Sequence, residues 1–180
     1  MRMRPTLAFF LLLIGFPLAA AAQGDIRLGL GGGLTLPLRA DADLVKKGWM
    51  GMANLAYFPG ASASLGFRLD ALYARNVFKV TDGHRTELGG LGNLVFQFGA
   101  RRTPNRLYVF GGGGYVRTQE TGASFGTVTS TDPALDAGAG CSFGVRAFAL
   151  FVEARYLNVY TSGTKPQFLA LTGGISFGGL

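Results

Sequence analysis

The residue types able to carry covalent chemistry are few and poorly placed. The chain has one histidine, His84, and one cysteine, Cys141. A hydroxyl nucleophile needs a base within hydrogen-bond reach and an acid to orient that base. Asp82, His84 and Thr86 supply an acid, a base and a hydroxyl in one short stretch, and Ser124, Thr127, Thr129, Ser130 and Thr131 supply further hydroxyls. Nothing in the order of residues brings these hydroxyls to His84, and a lone histidine in a polar loop is usually just solvated. One Cys and one His fall short of the four ligands of a structural zinc site. Gly111 to Gly114 suggest a phosphate cradle, but no Gly-Lys-Ser/Thr and no strand-to-helix context accompanies them. The expectation is no catalytic residue, no metal ligand and no cofactor.

Composition points elsewhere. Of 180 residues, 29 are glycine, 12% are aromatic and only 15% are charged, against roughly 25% charged in an average soluble domain. Mean hydropathy is positive, which excludes a disordered chain. The single cysteine excludes a disulfide-stapled scaffold.

Residues 1–22 read as a secretory signal: Arg2 and Arg4, an apolar run from Leu7 to Leu18, then Ala20-Ala21-Ala22 before a cut at Gln23. The expected division is therefore a signal peptide, 1–22, and one barrel domain, 23–180. Without Arg2 and Arg4 the net charge of +7 falls to +5. Export and the lack of any dense basic block argue against a nucleic-acid partner.

Eight segments have strand composition and recurrent turn signals: 26–38, 48–58, 63–75, 86–98, 105–117, 134–145, 148–160 and 167–178. Each is long enough to cross a bilayer as a tilted strand, which takes about 9–11 residues. The connections alternate longer and shorter. Residues 76–85 and 118–133 are loop-sized and polar, whereas Pro59-Gly60-Ala61-Ser62 and Arg146-Ala147 are turn-sized. An antiparallel barrel in an outer membrane sorts its connections this way.

The two faces of each segment separate as well. Leu28, Leu30 and Leu34 oppose Arg27 and Thr35; Leu65, Phe67 and Leu69 oppose Arg68 and Asp70; Val152, Ala154 and Tyr156 oppose Glu153 and Arg155. The second and fifth segments are less clean. Met50, Met52 and Phe58 fall on the inner face of the second, and Tyr108 and Phe110 compete with Leu107 and Val109 for the outer face of the fifth. A soluble barrel would show charge outside and apolar residues inside; this pattern is the reverse. Aromatics gather toward the two ends, as membrane interfaces require: Trp49, Tyr73, Tyr115, Tyr156 and Tyr160 at the loop end, and Tyr57, Phe98, Phe143 and Phe177 at the turn end. Strand edges left open in hydrocarbon cost several kcal/mol per group, so the first and eighth strands must pair. The fold class is an all-β, eight-stranded antiparallel up-and-down transmembrane β-barrel.

The signal segment, Gly138-Ala139-Gly140, the stretch Leu150 to Tyr156 and the terminal strand Leu169 to Phe177 resemble the small bacterial outer-membrane barrels of the OmpA/OmpX type. That resemblance implies an outer-membrane location after export through the inner membrane, insertion by the barrel-assembly machinery, and a monomer. One departure is that the aromatic Phe177 is followed by Gly178-Gly179-Leu180 rather than ending the chain. Some such barrels are lipid-A-modifying enzymes, with His84 the only candidate base here; others are porin-like channels.

The expected function is structural, envelope-maintaining or surface-interacting. A narrow channel for small or apolar solutes and a lipid-A-modifying enzyme are the alternatives. Eight strands leave an interior just wide enough for side chains. Among the inward residues Arg27, Arg68, Asp70, Asn93, Gln97, Asp136, Glu153 and Arg155, a network of Arg68, Asp70, Glu153 and Arg155 is expected to fill the lumen. Basic residues in the outer loops (Arg39, Lys46, Lys47, Arg75, Lys79, Arg85, Arg117 and Lys165) outnumber Asp41, Asp43, Asp82, Glu87, Glu120 and Asp132, which makes lipopolysaccharide a candidate partner beside the membrane lipids.

Overall fold

The computed structural model describes residues 24–60, 63–80, 82–98, 105–124, 126–145, 147–161 and 166–178. The expected signal segment, 1–22, lies outside them. The elements are β1 (Asp25–Pro37), α1 (Asp41–Leu44), β2 (Gly48–Phe58), β3 (Leu65–Val77), β4 (Gly83–Phe98), β5 (Asn105–Gly122), β6 (Gly126–Val145), β7 (Phe148–Val159) and β8 (Gln167–Phe177). Each strand pairs antiparallel with the next, and β1 pairs with β8 to close the barrel. All eight expected strands are present.

The differences have physical causes. Most of 118–133 is not loop. Thr118 pairs with Ser130 and Thr121 with Thr127, so β5 and β6 run on as a hairpin above the barrel. Threonine is polar by composition but β-branched, and cross-strand threonine pairs stabilise a ladder. Gly126 closes this hairpin at φ 73°, a left-handed conformation that side chains disfavour. The third strand begins later and ends later than 63–75, and Asn76 pairs with Arg85 in what reads as loop. The short helix α1 has no sequence signature.

The faces sort by parity. Leu30, Leu94, Leu107 and Val152 are 53–64% exposed on the outside, whereas Arg155 and Asn93 are fully buried within. In β2 the interior takes Met50, Met52 and Phe58. In β5 it takes Tyr108 and Phe110, while Leu107 and Val109 face out. No helix among the described residues is long and apolar enough to cross a membrane; the apolar surface belongs to the strands.

Gly112 shows why β5 is glycine-rich. Its neighbours across the ladder are Asn93 on β4 and Asp136 on β6. A Cβ placed there would lie 2.0 Å from the Gly92 carbonyl oxygen and 2.6 Å from Asn93 Oδ1. Gly112→Ala is expected to destabilise the barrel by about 1–3 kcal/mol, the range for overpacking. Gly51→Ala, with nothing within 4 Å of its Cβ, should be near neutral. Thermal unfolding of both variants in detergent checks the contrast.

Candidate functional site

Inward parity on three strands brings the charged side chains to one level. On β3, Arg68 Nε donates to Asp70 Oδ2 at 3.0 Å, and Arg68 Nη1 reaches across to Glu153 Oε2 on β7 at 2.7 Å. Arg155 Nη2 lies 3.0 Å from both Asp70 Oδ1 and Glu153 Oε1, and its Nη1 lies 3.2 Å from Asp136 Oδ2. Arg68, Asp70, Glu153 and Arg155 therefore meet in one cluster, and Asp136 joins it from β6.

Neutral donors complete the cluster. Asn93 Nδ2 donates to Asp70 Oδ2 at 2.7 Å and to Asp136 Oδ2 at 3.3 Å. Asn93 Oδ1, on the same amide, is one of the atoms that leave Gly112 no room for a side chain. Tyr108 Oη donates to Glu153 Oε2 at 3.1 Å. The guanidinium carbons of Arg68 and Arg155 lie 4.1 and 4.9 Å from the centroid of the Phe110 ring, cation–π geometry that gains strength away from water.

Sequence reasoning missed the part played by Tyr108 and Phe110, although a signal for it exists. Tyr108 pairs with Gly140 and Phe110 with Gly138, so each ring lies over the one neighbour without a side chain. The Gly-Ala-Gly of β6 and the Tyr-Val-Phe of β5 are complementary.

Apolar side chains pack on both sides of the charged level. On the loop side lie Met50, Leu72, Leu91, Val116, Leu157 and Phe168. On the turn side lie Ala56, Phe58 and Val95, together with Tyr108 and Phe110. At the turn end Arg27 pairs with Asp25 and stacks on Phe58, 4.6 Å from its centroid, and Arg106 Nη1 donates to Gln97 Oε1 at 3.2 Å.

At the outer mouth, α1 folds over the opening. Its Asp41 is buried and pairs with Arg85 of β4; Arg85 Nε also reaches Glu120 Oε1 at 2.8 Å. Burial raises the Asp41 carboxyl above the ordinary aspartate value, and the Arg85 cation pulls it back down. Val45 bridges to Phe78, and Asn76 Nδ2 donates to Thr35 Oγ1 and the Lys46 carbonyl, each at 2.9 Å.

This corrects the sequence reading of the loops. Arg85, Asp41 and Glu87 are buried inside the mouth rather than on the rim. Arg39, Lys46, Lys47, Arg75, Lys79 and Arg117 are exposed, and Lys165 lies outside the described residues.

The remaining residues singled out by sequence sit apart from this cluster. Trp49 and Tyr73 stack on the outside with centroids 5.2 Å apart, and Tyr115, Tyr57, Phe98, Phe143 and Phe177 are exposed. Tyr156 is half-buried between Ala137 and Leu169. His84 pairs with Val77 and Thr121 at the top of β4. Cys141 is half-buried, between Leu107 and Val152. Among the described residues no group of acidic, histidine or cysteine side chains is arranged to hold a metal ion.

No protein-family model and no curated protein matches the chain. Solved structures do. The crystal structure of Neisserial surface protein A is 16% identical, with 86% of this chain and 96% of that one covered and a TM-score of 0.61. Ail, the attachment invasion locus protein of Yersinia pestis, is 19% identical in its complex with the heparin analogue sucrose octasulfate, with 86% and 98% covered and a TM-score of 0.53. The backbone structure of Ail in a phospholipid bilayer nanodisc gives 19% identity, 86% and 100% coverage and a TM-score of 0.53. Strand number and closure agree with these structures, and the chain has the fold of the small eight-stranded outer-membrane β-barrels.

Proposed function

We propose that this protein is an integral outer-membrane barrel of structural, envelope-maintaining or surface-interacting type, without catalytic activity and with a closed lumen. The observation that carries the reading is the charged cluster around Arg155, packed between two apolar layers. An ion entering the lumen would have to displace side chains that are already paired, and breaking one buried pair is strongly unfavourable. This disfavours the narrow-channel alternative.

Surface interaction is supported by the β5–β6 hairpin, which carries exposed threonines and Val128 beyond the barrel. Solved barrels of this fold include an attachment protein. The enzyme alternative has no comparable support: the ladder neighbours of His84 are Val77 and Thr121, neither of them an acid to orient a base, and the Thr121 hydroxyl lies 3.3 Å from that of Thr127. The partners in this reading are the outer-membrane lipids, lipopolysaccharide among them, and the assembly machinery during insertion; the protein acts as a monomer.

Planar-bilayer recording tests the closed lumen. The expected record shows no steady conductance at moderate voltage. Large, stable porin-like steps would overturn the reading.

A further inference from the structure

The strap that carries α1 is tied to the barrel through a guanidinium that another acid also faces. Arg85 and Glu87 are successive inward residues of β4, and both are buried. Arg85 is already engaged: its Nη1 bonds Asp41 of α1, and its Nε lies 2.8 Å from Glu120 Oε1. Glu87 is left over. It is 1% exposed, and its Oε2 has no hydrogen-bond partner among the protein groups. The buried hydroxyl of Thr118, directly across the β4–β5 ladder, has none either. A buried carboxylate in this position is costly, whereas the neutral acid is much less so.

Among the described residues, the charged groups turned toward the mouth are Asp41 from α1, Arg85 and Glu87 from β4, Glu120 from β5 and Asp132 from β6. Thr35 of β1 and Asn76 of β3 are neutral, and the Gln167 backbone of β8 donates to Asp41. Met50 of β2 and Leu157 and Val159 of β7 are apolar. His84 faces out by alternation.

This level lies outside the hydrocarbon. Tyr73 pairs with Leu88 and Tyr115 with Gly90, so the aromatic girdle crosses β4 below Glu87. Burial pushes the Glu87 carboxyl up to about 7; Arg85 opposes the rise, and Asp41 and Glu120 add to it. Beyond the Asp41 pair, the strap meets β3 and the residues after it through backbone groups. The Lys46 N–H donates to the Val77 carbonyl at 2.8 Å, and the Lys79 N–H donates to the Leu44 carbonyl at 2.9 Å.

We propose that Glu87 is a proton-controlled latch for α1. As the neutral acid it leaves Arg85 to Asp41, and the strap stays down over the mouth. When its proton passes to solvent, the carboxylate competes for Arg85 from one inward step away. The strap then lifts, which returns Glu87 to water and uncovers Asp41. The outer surface thereby gains acidic groups as pH rises. The device rests on the mouth alone and goes beyond the outer-membrane reading.

The sign follows from linkage. With α1 docked, Glu87 and Asp41 are both raised above their ordinary values, so the docked state holds protons more tightly than the lifted one. Docking is strongest below the ordinary glutamate value. It weakens by up to about tenfold per pH unit and levels off above about 7.

Backbone hydrogen exchange reads the strap. The protein, purified from membranes in neutral detergent, is compared at about pH 5 and about pH 7.5, with rates corrected for their intrinsic pH dependence. Protection of the Lys46 and Lys79 amides is expected to fall about 100-fold, while that of Leu72 and Leu91 in the barrel wall holds. Glu87→Gln, neutral at every pH, should abolish most of the fall. Glu87→Leu is neutral too and gives the same flat profile should the Gln variant not fold; the mobility difference between unheated and boiled gel samples checks folding. Asp41→Asn should lower protection at both pH values.

Equal protection of the wild-type amides at the two pH values overturns the proposal. So does a fall that persists undiminished in the Glu87 variants. Either result leaves the outer-membrane reading standing.

Discussion

Replacing Arg155 by methionine is expected to destabilise the barrel by about 3–5 kcal/mol, the range for removing one partner of a buried ion pair. Arg155 is fully buried and contacts Asp70, Asp136 and Glu153. Methionine fills part of the volume but leaves three buried carboxylates to share Arg68 and the neutral donors Asn93 and Tyr108. The cation–π contact with Phe110 is lost as well. Adding Asp136→Asn to the variant should recover part of the loss, because it removes one of the stranded charges. Urea unfolding in detergent or lipid, followed by gel mobility, measures both. A change below about 1 kcal/mol for Arg155→Met would mean that water solvates the cluster freely.

The second large effect concerns the outside. Leu30→Arg, in the middle of β1, is expected to cost about 2–4 kcal/mol in a lipid bilayer, and Val77→Arg, at the loop end of β3, about 0–1 kcal/mol. Both side chains are about half exposed, at 53% and 49%. In water the two substitutions would be equally mild. Only hydrocarbon makes depth matter, so the difference between them measures the solvent around the barrel. Equal costs in vesicles would remove the basis for the membrane assignment.

Both effects trace to a pattern legible in the residues themselves. Where one parity of a strand is all apolar, as in Leu65, Phe67 and Leu69, the opposite parity must be the interior, and Arg68 and Asp70 follow by alternation. The same logic puts Glu153 and Arg155 inside. It gave no answer for β5, because Leu107-Tyr108-Val109-Phe110 is apolar at every position. There the decision lies in the partner strand, whose Gly138 and Gly140 leave space for rings on one face only.

Strand ends were the other weak point. Composition marked 118–133 as loop because threonine and serine are polar, yet their pairing across the hairpin is what continues the ladder. At the mouth, Asp41 and Arg85 lie 44 positions apart. Their pairing depends on how α1 folds back over β4, which no local pattern encodes.

The link between Arg68 and Glu153 spans 85 positions of sequence, and on the proposed outer-membrane reading this constrains the route by which the chain would enter a membrane. A partly threaded chain with only β1 to β4 across would hold Arg68 and Asp70 without their β7 counterparts. Stalling there is disfavoured twice over, by the exposed edge of β4 and by incompletely compensated charge. Translocation should therefore be an all-or-nothing event, in which the last strands arrive while the first are still shielded from the acyl chains.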